Sequence, residues 1–435
     1  MKQPSFKRYV VFWLSQSVSQ LGSSMTSFAL ILWAYEKTGS AMSVSLMSFC
    51  RYLPYILVSL FAGAFVDSHK KKSIMLVSDA VAAAGSLAIF LCGAAGILDI
   101  WQIYAVNLVI GFMNSIQGPA MTVAIGRMVP RERLGQVSGM SSFSSNLITI
   151  FSPAIASAVY AFGGLNAVIL ADLCSFLFAF LVLLLFIHVP EEEGARKKRI
   201  SPLQGCADGF RFLRAHRGLW TIALTMWVIN FLSRLTYENI LSPMLIARSG
   251  GTAAVGVVNA VLGVGGVVGG LLVSTGKMPK DNVKLIYFST AFSFLMGDML
   301  MALGQNTFVW ALAAVAASVP IPFINAGQNV ILYQNIPSEM QGRVFAVRNA
   351  LQYSSIPLGI LLGGFLADSV FEPFMASGSA FAGLLHRLVG YGSGSGMAVM
   401  FLCTSICGAL FSIICYRSKG MDELRASAVK GGAEK

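Results

Sequence analysis

Charge is what this chain has least of. Only 11% of its 435 residues are Asp, Glu, Lys or Arg, against roughly a quarter in a soluble domain. Histidine occurs 4 times. No H-E-x-x-H, G-x-S-x-G or P-loop pattern is present, so the common signatures of a metalloprotease, a serine hydrolase and a nucleotide-driven pump are missing. The 7 cysteines contain no CxxC pair. Cys50, Cys92, Cys174, Cys403, Cys407 and Cys415 fall in apolar runs and Cys206 in a polar one. They read as buried small hydrophobes, not as zinc or redox ligands. No metal and no cofactor is expected, and with no nucleotide pattern any work the protein does should draw on an ion gradient.

What remains is apolar. Hydrophobic residues make up 56% of the chain and the mean hydropathy is +0.71. A soluble protein of that composition could not cover its surface with polar groups, so lipid is the expected solvent. The net charge of +12 could point to nucleic acid, but Lys and Arg sit in short clusters between apolar runs, without interleaved aromatics. That is a topology signal.

At the ~20 residues a helix needs to cross a bilayer, twelve spans are expected, the first six near 9–35, 42–66, 73–97, 100–124, 136–162 and 166–189. The second six lie near 218–247, 253–275, 283–303, 306–333, 344–369 and 394–416. The first run is too long for a cleaved signal peptide. With the N-terminus inside, only Lys37, Arg248 and Arg387 of the 31 Lys and Arg fall in outside segments, and Arg51 and Arg234 fall within spans. This alternation supports an even count with both termini cytoplasmic. The expected fold class is therefore all-α integral membrane, with an N-terminal six-span bundle over 1–189, a cytoplasmic linker over 190–217 and a C-terminal bundle with a short tail over 218–435. Leu203–Arg217 reads either as an amphipathic helix on the anionic inner leaflet or as a solvated linker. The Gly/Ser-rich outer stretch 370–396 reads as mobile.

The two bundles are related by an offset of 207 (270 − 63): Gly63 falls on Gly270, Lys70 on Lys277, and Pro130, Glu132, Gly135 and Val137 on Pro337, Glu339, Gly342 and Val344. Parallel six-span repeats of this kind hold cargo near the midplane and rock to give alternating access, which neither a channel nor an enzyme requires.

After span 2 the chain reads GAFVDSHKKK, from Gly63 to Lys72. Gly63, Asp67, Lys71 and Lys72 match the loop signature of the major facilitator superfamily, which the chain resembles over its whole length. Ser68 and Lys70 depart from it. EKTGSAMSVSLMSF (Glu36–Phe49), LPY (Leu53–Tyr55), SPAIASAVY (Ser152–Tyr160) and GRVFAV (Gly342–Val347) resemble the macrolide-efflux subgroup of drug:proton antiporters. The resemblance implies a cytoplasmic latch centred on Asp67, with Gly342 and Arg343 among the gating residues, and a degenerate antiporter motif at Ser152 and Pro153. At the repeat position of Asp67 stands Ser274, so the latch would be one-sided. The family's arginine in span 4 is absent: Ile110 and Gly111 are uncharged. GVGGVVGG, Gly263–Gly270, lacks the last glycine of a phosphate loop and reads as close helix packing.

Ionisable groups inside spans are functional hypotheses by default. Arg234 and Glu238 share a helix face with Asn230. They form either a polar cavity wall with Glu238 exchanging protons or a locked ion pair. Arg51 either attracts an anionic cargo or partners a carboxylate. Asp79, Asp172 and Asp298 read as structural, and His188 as interfacial. Gln16 and Gln20 recur with Ser23 and Ser27 on span 1, Asn107 and Asn114 on span 4, and Asn325, Gln328 and Asn329 on span 10. Buried amides need partners, so these rows line either a wet cavity or helix–helix seams. The reading is a monomeric, proton-coupled exporter of lipophilic or amphiphilic small molecules in a bacterial-type cell membrane. It has lipid and a small-molecule cargo as partners, no nucleic acid, and no enzymatic activity. An exporter of an anionic metabolite, siderophore or peptide is the alternative, and a lipid scramblase or membrane enzyme a more distant one.

Overall fold

The computed structural model describes residues 6–129, 134–189, 202–274, 281–422 and 424. Among these the chain is helical, with no strand. Each of the twelve stretches expected to span lies on helix. The first bundle is built from α1 (Phe6–Thr38), α2 (Ala41–Ser68), α3 (Lys71–Ala94), α4 (Ile100–Met128) and α5 (Leu134–Leu185). At 52 residues α5 holds two of the expected spans, broken at Gly164, whose φ of 65° is left-handed and open only to glycine at low cost. Then come α6 (Pro202–Ala215), α7 (Arg217–Thr236), α8 (Leu241–Ser249), α9 (Ala253–Ser274), α10 (Asn282–Phe292), α11 (Met299–Leu303), α12 (Thr307–Ser318), α13 (Ile321–Asn335), α14 (Ser338–Leu366), α15 (Glu372–Ala376), α16 (Ala380–Val389) and α17 (Ser395–Tyr416). A π-helical segment, Ser293–Asp298, joins α10 to α11.

Nine helical stretches among the described residues are long and apolar enough to cross a membrane. Their outer surfaces are greasy: Phe162, Leu185, Phe186, Leu271, Phe308 and Ile414 are all exposed. A surface that cannot hydrogen-bond water belongs in hydrocarbon, where a helix satisfies its own backbone. Cys174, Cys403 and Cys407 are exposed too, which corrects the expectation that they are buried. Facing lipid, a thiol needs no protein cover.

The chain divides into two compact units: residues 1–195 with 251–260, and residues 196–250 with 261–435. In the first, α1 packs along α5, α2 along α4, and α3 along α4 and α5. Asp99 caps α4 by accepting the Ile100 N–H, and Gln102 answers onto the Asp99 backbone. That N–H, with Lys37 beside it, holds the Asp99 carboxyl below the usual carboxylate range. The core of this unit holds Phe6, Phe12, Trp13, Val129, Val137 and Met140. In the second unit, α7 packs along α14, and α10 along α13 and α17. Its core holds Leu213, Leu219, Trp220, Ile336, Val344 and Val347. Each of these lies 207 residues after its counterpart (219 − 12), so the repeat seen in two loops extends into the apolar cores.

Helix α6 is neither a leaflet anchor alone nor a solvated linker. Leu213 is buried in the second core, and a Cβ at Gly209 would press on the Arg343 carbonyl of α14. The stretch 370–396, expected to be mobile, carries α15 and α16, tied by the His386 ring against the carbonyls of Gly390 and Met375 at 2.9 and 3.0 Å.

Candidate functional site

The first unit lines an open cavity of about 530 Å³, within the range of drug-sized sites. Every element of the bundle contributes to its wall. Helix α1 supplies Gln16, Gln20, Ser23 and Ser27, and α2 supplies Arg51. Asp79 and Ser86 come from α3, and Asn107, Asn114 and Gln117 from α4. The two limbs of α5 supply Thr149 and Asp172. Apolar side chains such as Leu30, Met121 and Phe176 fill the intervals.

Two close approaches set this geometry. Gly22 lets α1 lie against Asp172 and Ser175, and Gly111 lets α4 lie against the Arg51 backbone. A Cβ at either position would collide with its neighbour. Where the superfamily signature would place an arginine on span 4, this chain has a glycine contact, and the guanidinium of the cavity comes from α2.

The charged groups are held unequally. Arg51 Nη1 donates to Ser27 Oγ at 2.5 Å, and Ser27 in turn donates to the Ser23 carbonyl. Ser23 Oγ donates to Asp172 Oδ1 at 3.0 Å, and Ser86 Oγ reaches Asp172 Oδ2 at 3.5 Å. Asp172 is thus buried among hydroxyls, with Arg51 on the same network. Asp79 is different: its hydrogen bond is to the amide of Gln117 at 2.5 Å. Gln16 is buried, and its Nε2 has no partner among the described residues.

Of the residues expected in a polar cavity, Gln16, Gln20, Arg51 and Asn114 meet here. Asp79 and Asp172, read from the sequence as structural, stand on the wall beside them, and the bonds of Ser23 and Ser86 to Asp172 agree with that reading. The signal for Asp79 was present. Asp79, Ala82, Ala83 and Ser86 recur at helical spacing as a small-and-polar face of α3.

The expected residues of the second half behave otherwise. Asn230 donates to the Gln352 carbonyl and to Ser355 Oγ at 2.9 and 2.7 Å, a seam between α7 and α14. Gln328 is buried and accepts from Arg348 at 2.5 Å. Asn325 and Asn329 are exposed. Arg234 and Glu238 form an ion pair. Asp298, in the π-helical segment, is buried and takes donors from Tyr237 at 2.9 Å and Thr404 at 2.6 Å.

Among the expected gating residues, the side chains of Gly63, Asp67 and Gly342 lie outside the described residues. Lys72 donates to the carbonyls of Leu184 and Ile187 at 2.9 and 2.8 Å, closing the C-terminal end of α5. Lys71 is buried and donates to the His69 carbonyl. Ser152 and Pro153 are buried within α5. Arg343 pairs with Asp208 of α6 at 3.2 Å. Lys72→Ala is expected to lower stability by about 1 kcal/mol, the net worth of a typical hydrogen bond, and to leave cargo affinity unchanged. Thermal unfolding in detergent and equilibrium binding check both. Lost transport at unchanged stability would instead make Lys72 part of a latch.

The comparisons with known proteins bear on the same architecture. Macrolide efflux protein A of Streptococcus pyogenes is 26% identical over 373 residues, covering 83% of this chain and 90% of that protein. The multidrug efflux pump Tap of Mycolicibacterium fortuitum is 26% identical over 362 residues, 80% of this chain and 86% of that one. A bacterial homologue of the human lysosomal transporter Spinster, inward-facing and unoccupied, superposes with a TM-score of 0.68 at 14% identity, covering 99% and 98% of the two chains. The Major Facilitator Superfamily model matches residues 12–360, and the chain belongs to that superfamily of multi-pass membrane transporters.

Proposed function

We propose that this protein is a proton-driven exporter of drug-sized amphiphilic molecules, macrolides among them. It works as a monomer whose two six-span halves, 1–189 and 218–435, rock about the linker 190–217, with both termini on the cytoplasmic side. The observation that carries the reading is the cavity of about 530 Å³ in the first unit, whose wall mixes hydroxyls and amides with apolar side chains. Such a wall suits cargo that is part greasy and part hydrogen-bonding. Relatives named for macrolide efflux and multidrug efflux support the direction and the cargo. The repeated cores support the rocking halves. The wall carries one cation, Arg51, and two carboxylates, Asp79 and Asp172, a balance that counts against an anionic cargo.

A growth-inhibition panel in a pump-deficient bacterial host tests this. Expression should raise the macrolide concentration needed to stop growth at least fourfold. A protonophore given for a short transport assay should abolish efflux of the same drug. Unchanged sensitivity across macrolides and other amphiphilic drugs overturns the cargo assignment. Efflux that survives the protonophore overturns the coupling.

A further inference from the structure

Helix α16, Ala380–Val389, is apolar and 10 residues long, against the ~20 residues that a crossing needs. It stands between two stretches that are long enough to cross, Arg343–Ala376 and Ser395–Tyr416. Its place is therefore where those two spans end. One face of α16 is fastened. Ala382 and Val389 are buried. The His386 ring reaches the carbonyls of Met375 and Gly390 at 3.0 and 2.9 Å, and Arg248 donates to the Val389 carbonyl. Ties at three points keep the helix from rolling, so the direction of its free face is set.

That free face is greasy. Phe381, Leu384 and Leu388 are 62%, 55% and 50% exposed, and their spacing of three and four puts them on one stripe. What covers the stripe follows from what it continues. Along α14, Leu358, Leu362 and Phe365 form an exposed row at helical spacing, part of the surface that belongs in hydrocarbon. Phe374, near the end of the same spanning stretch, lies with its ring 6.1 Å from that of Phe381, and this ring pair joins the span to α16. The polar groups beside the stripe suit a boundary layer. Arg387 is exposed and pairs with no carboxylate among the described residues. Tyr391, exposed just past the helix, stacks on His386 at 4.5 Å. Both side chains have an apolar body and a polar tip, the form that settles between acyl chains and water.

We infer that α16 is an in-plane anchor lying on the lipid surface, with Phe381, Leu384 and Leu388 at the edge of the acyl chains and Arg387 on the lipid phosphates. In the topology proposed above, this is the leaflet facing away from the cytoplasm. Such an anchor is independent of the cargo.

The test uses the full-length protein in vesicles of phosphatidylethanolamine and phosphatidylglycerol, with the photoreactive residue benzoylphenylalanine placed at one position at a time. After irradiation, mass spectrometry identifies what that residue has captured. Leu362, on the spanning row of α14, is the positive reference. Ser393, exposed but off the stripe, is the negative one. Positions 381, 384 and 388 should each give phospholipid adducts about fivefold or more above position 393 and comparable with position 362. Arg387→Gln should cut the adduct at position 388 about fivefold, the weight of one basic residue at an anionic surface, and leave that at position 362 unchanged. Adducts at 381, 384 and 388 no higher than at 393, with position 362 still capturing lipid, overturn the anchor. Capture of a second copy of the chain at the stripe, seen as a crosslinked dimer, overturns it as well. An adduct at position 388 that is undiminished in Arg387→Gln overturns the phosphate contact.

Discussion

Gly111→Val is expected to abolish export. Gly111 sits where α4 crosses α2, and what a Cβ would meet there is the Arg51 carbonyl, carbon and Cα. Backbone cannot rotate away as a side-chain tip does, so the helices must part. Overfilling a packed seam costs about 1–3 kcal/mol. Here the cost falls on the residue that carries the cavity's guanidinium. The Arg51–Ser27 bond at 2.5 Å and the Asn107 bond to the Met47 carbonyl at 3.4 Å flank the crossing. Both would be broken or remade. Gly126→Ala on the same helix is the control, since a Cβ there meets nothing within 4 Å. Drug efflux from intact cells and binding in detergent should fall more than tenfold in Gly111→Val and stay near wild type in Gly126→Ala. Wild-type efflux in the valine variant would mean that the crossing does not hold the site.

Asp172→Leu should damage the first bundle itself. Its carboxylate joins three helices, taking Ser23 of α1 and Ser86 of α3 onto a residue of α5. Leucine fills similar space but offers no acceptor. Two hydroxyls then lose a partner inside the membrane, and an unmade buried bond costs about 1–3 kcal/mol. A lower melting temperature in detergent and reduced accumulation in the membrane are the expected results. Asp172→Asn keeps an acceptor oxygen and should melt closer to wild type. A leucine variant as stable as the wild type would show that the hydroxyls find other partners and that Asp172 ties nothing.

Much of the architecture was legible because lipid makes a simple demand. Long apolar runs, charge clusters between them and an offset of 207 suffice to mark spans and repeat. The structure extends the same offset from loop residues such as Gly63 and Gly270 to core pairs such as Trp13 and Trp220. The polar row of span 1 was readable because Gln16, Gln20, Ser23 and Ser27 recur on one face of α1. What could not be read was which polar groups meet. Asp79 bonds a residue 38 positions away and Asp172 one 149 positions away, and no local spacing encodes such partners. The second half shows the converse. Asn230 and Gln328 are as polar and as regularly spaced as Gln16, yet Asn230 is taken up in a helix seam and the Gln328 oxygen by Arg348. The Lys72 ammonium, in a stretch that matches a gating signature, also reaches two carbonyls at the end of α5, 112 and 115 positions away, a contact that no motif encodes.

The most direct measurement is photoaffinity labelling. A macrolide carrying a small photoreactive group is equilibrated with the full-length protein in lipid nanodiscs, irradiated, and the adducts are located by mass spectrometry. Labels should fall on α1 between Gln16 and Ser27, on α3 between Asp79 and Ser86, and on α4 between Asn107 and Gln117, and unlabelled drug in excess should suppress them. Adducts confined to lipid-facing residues such as Phe162 and Leu185, and insensitive to competition, would contradict a cargo site in the first bundle.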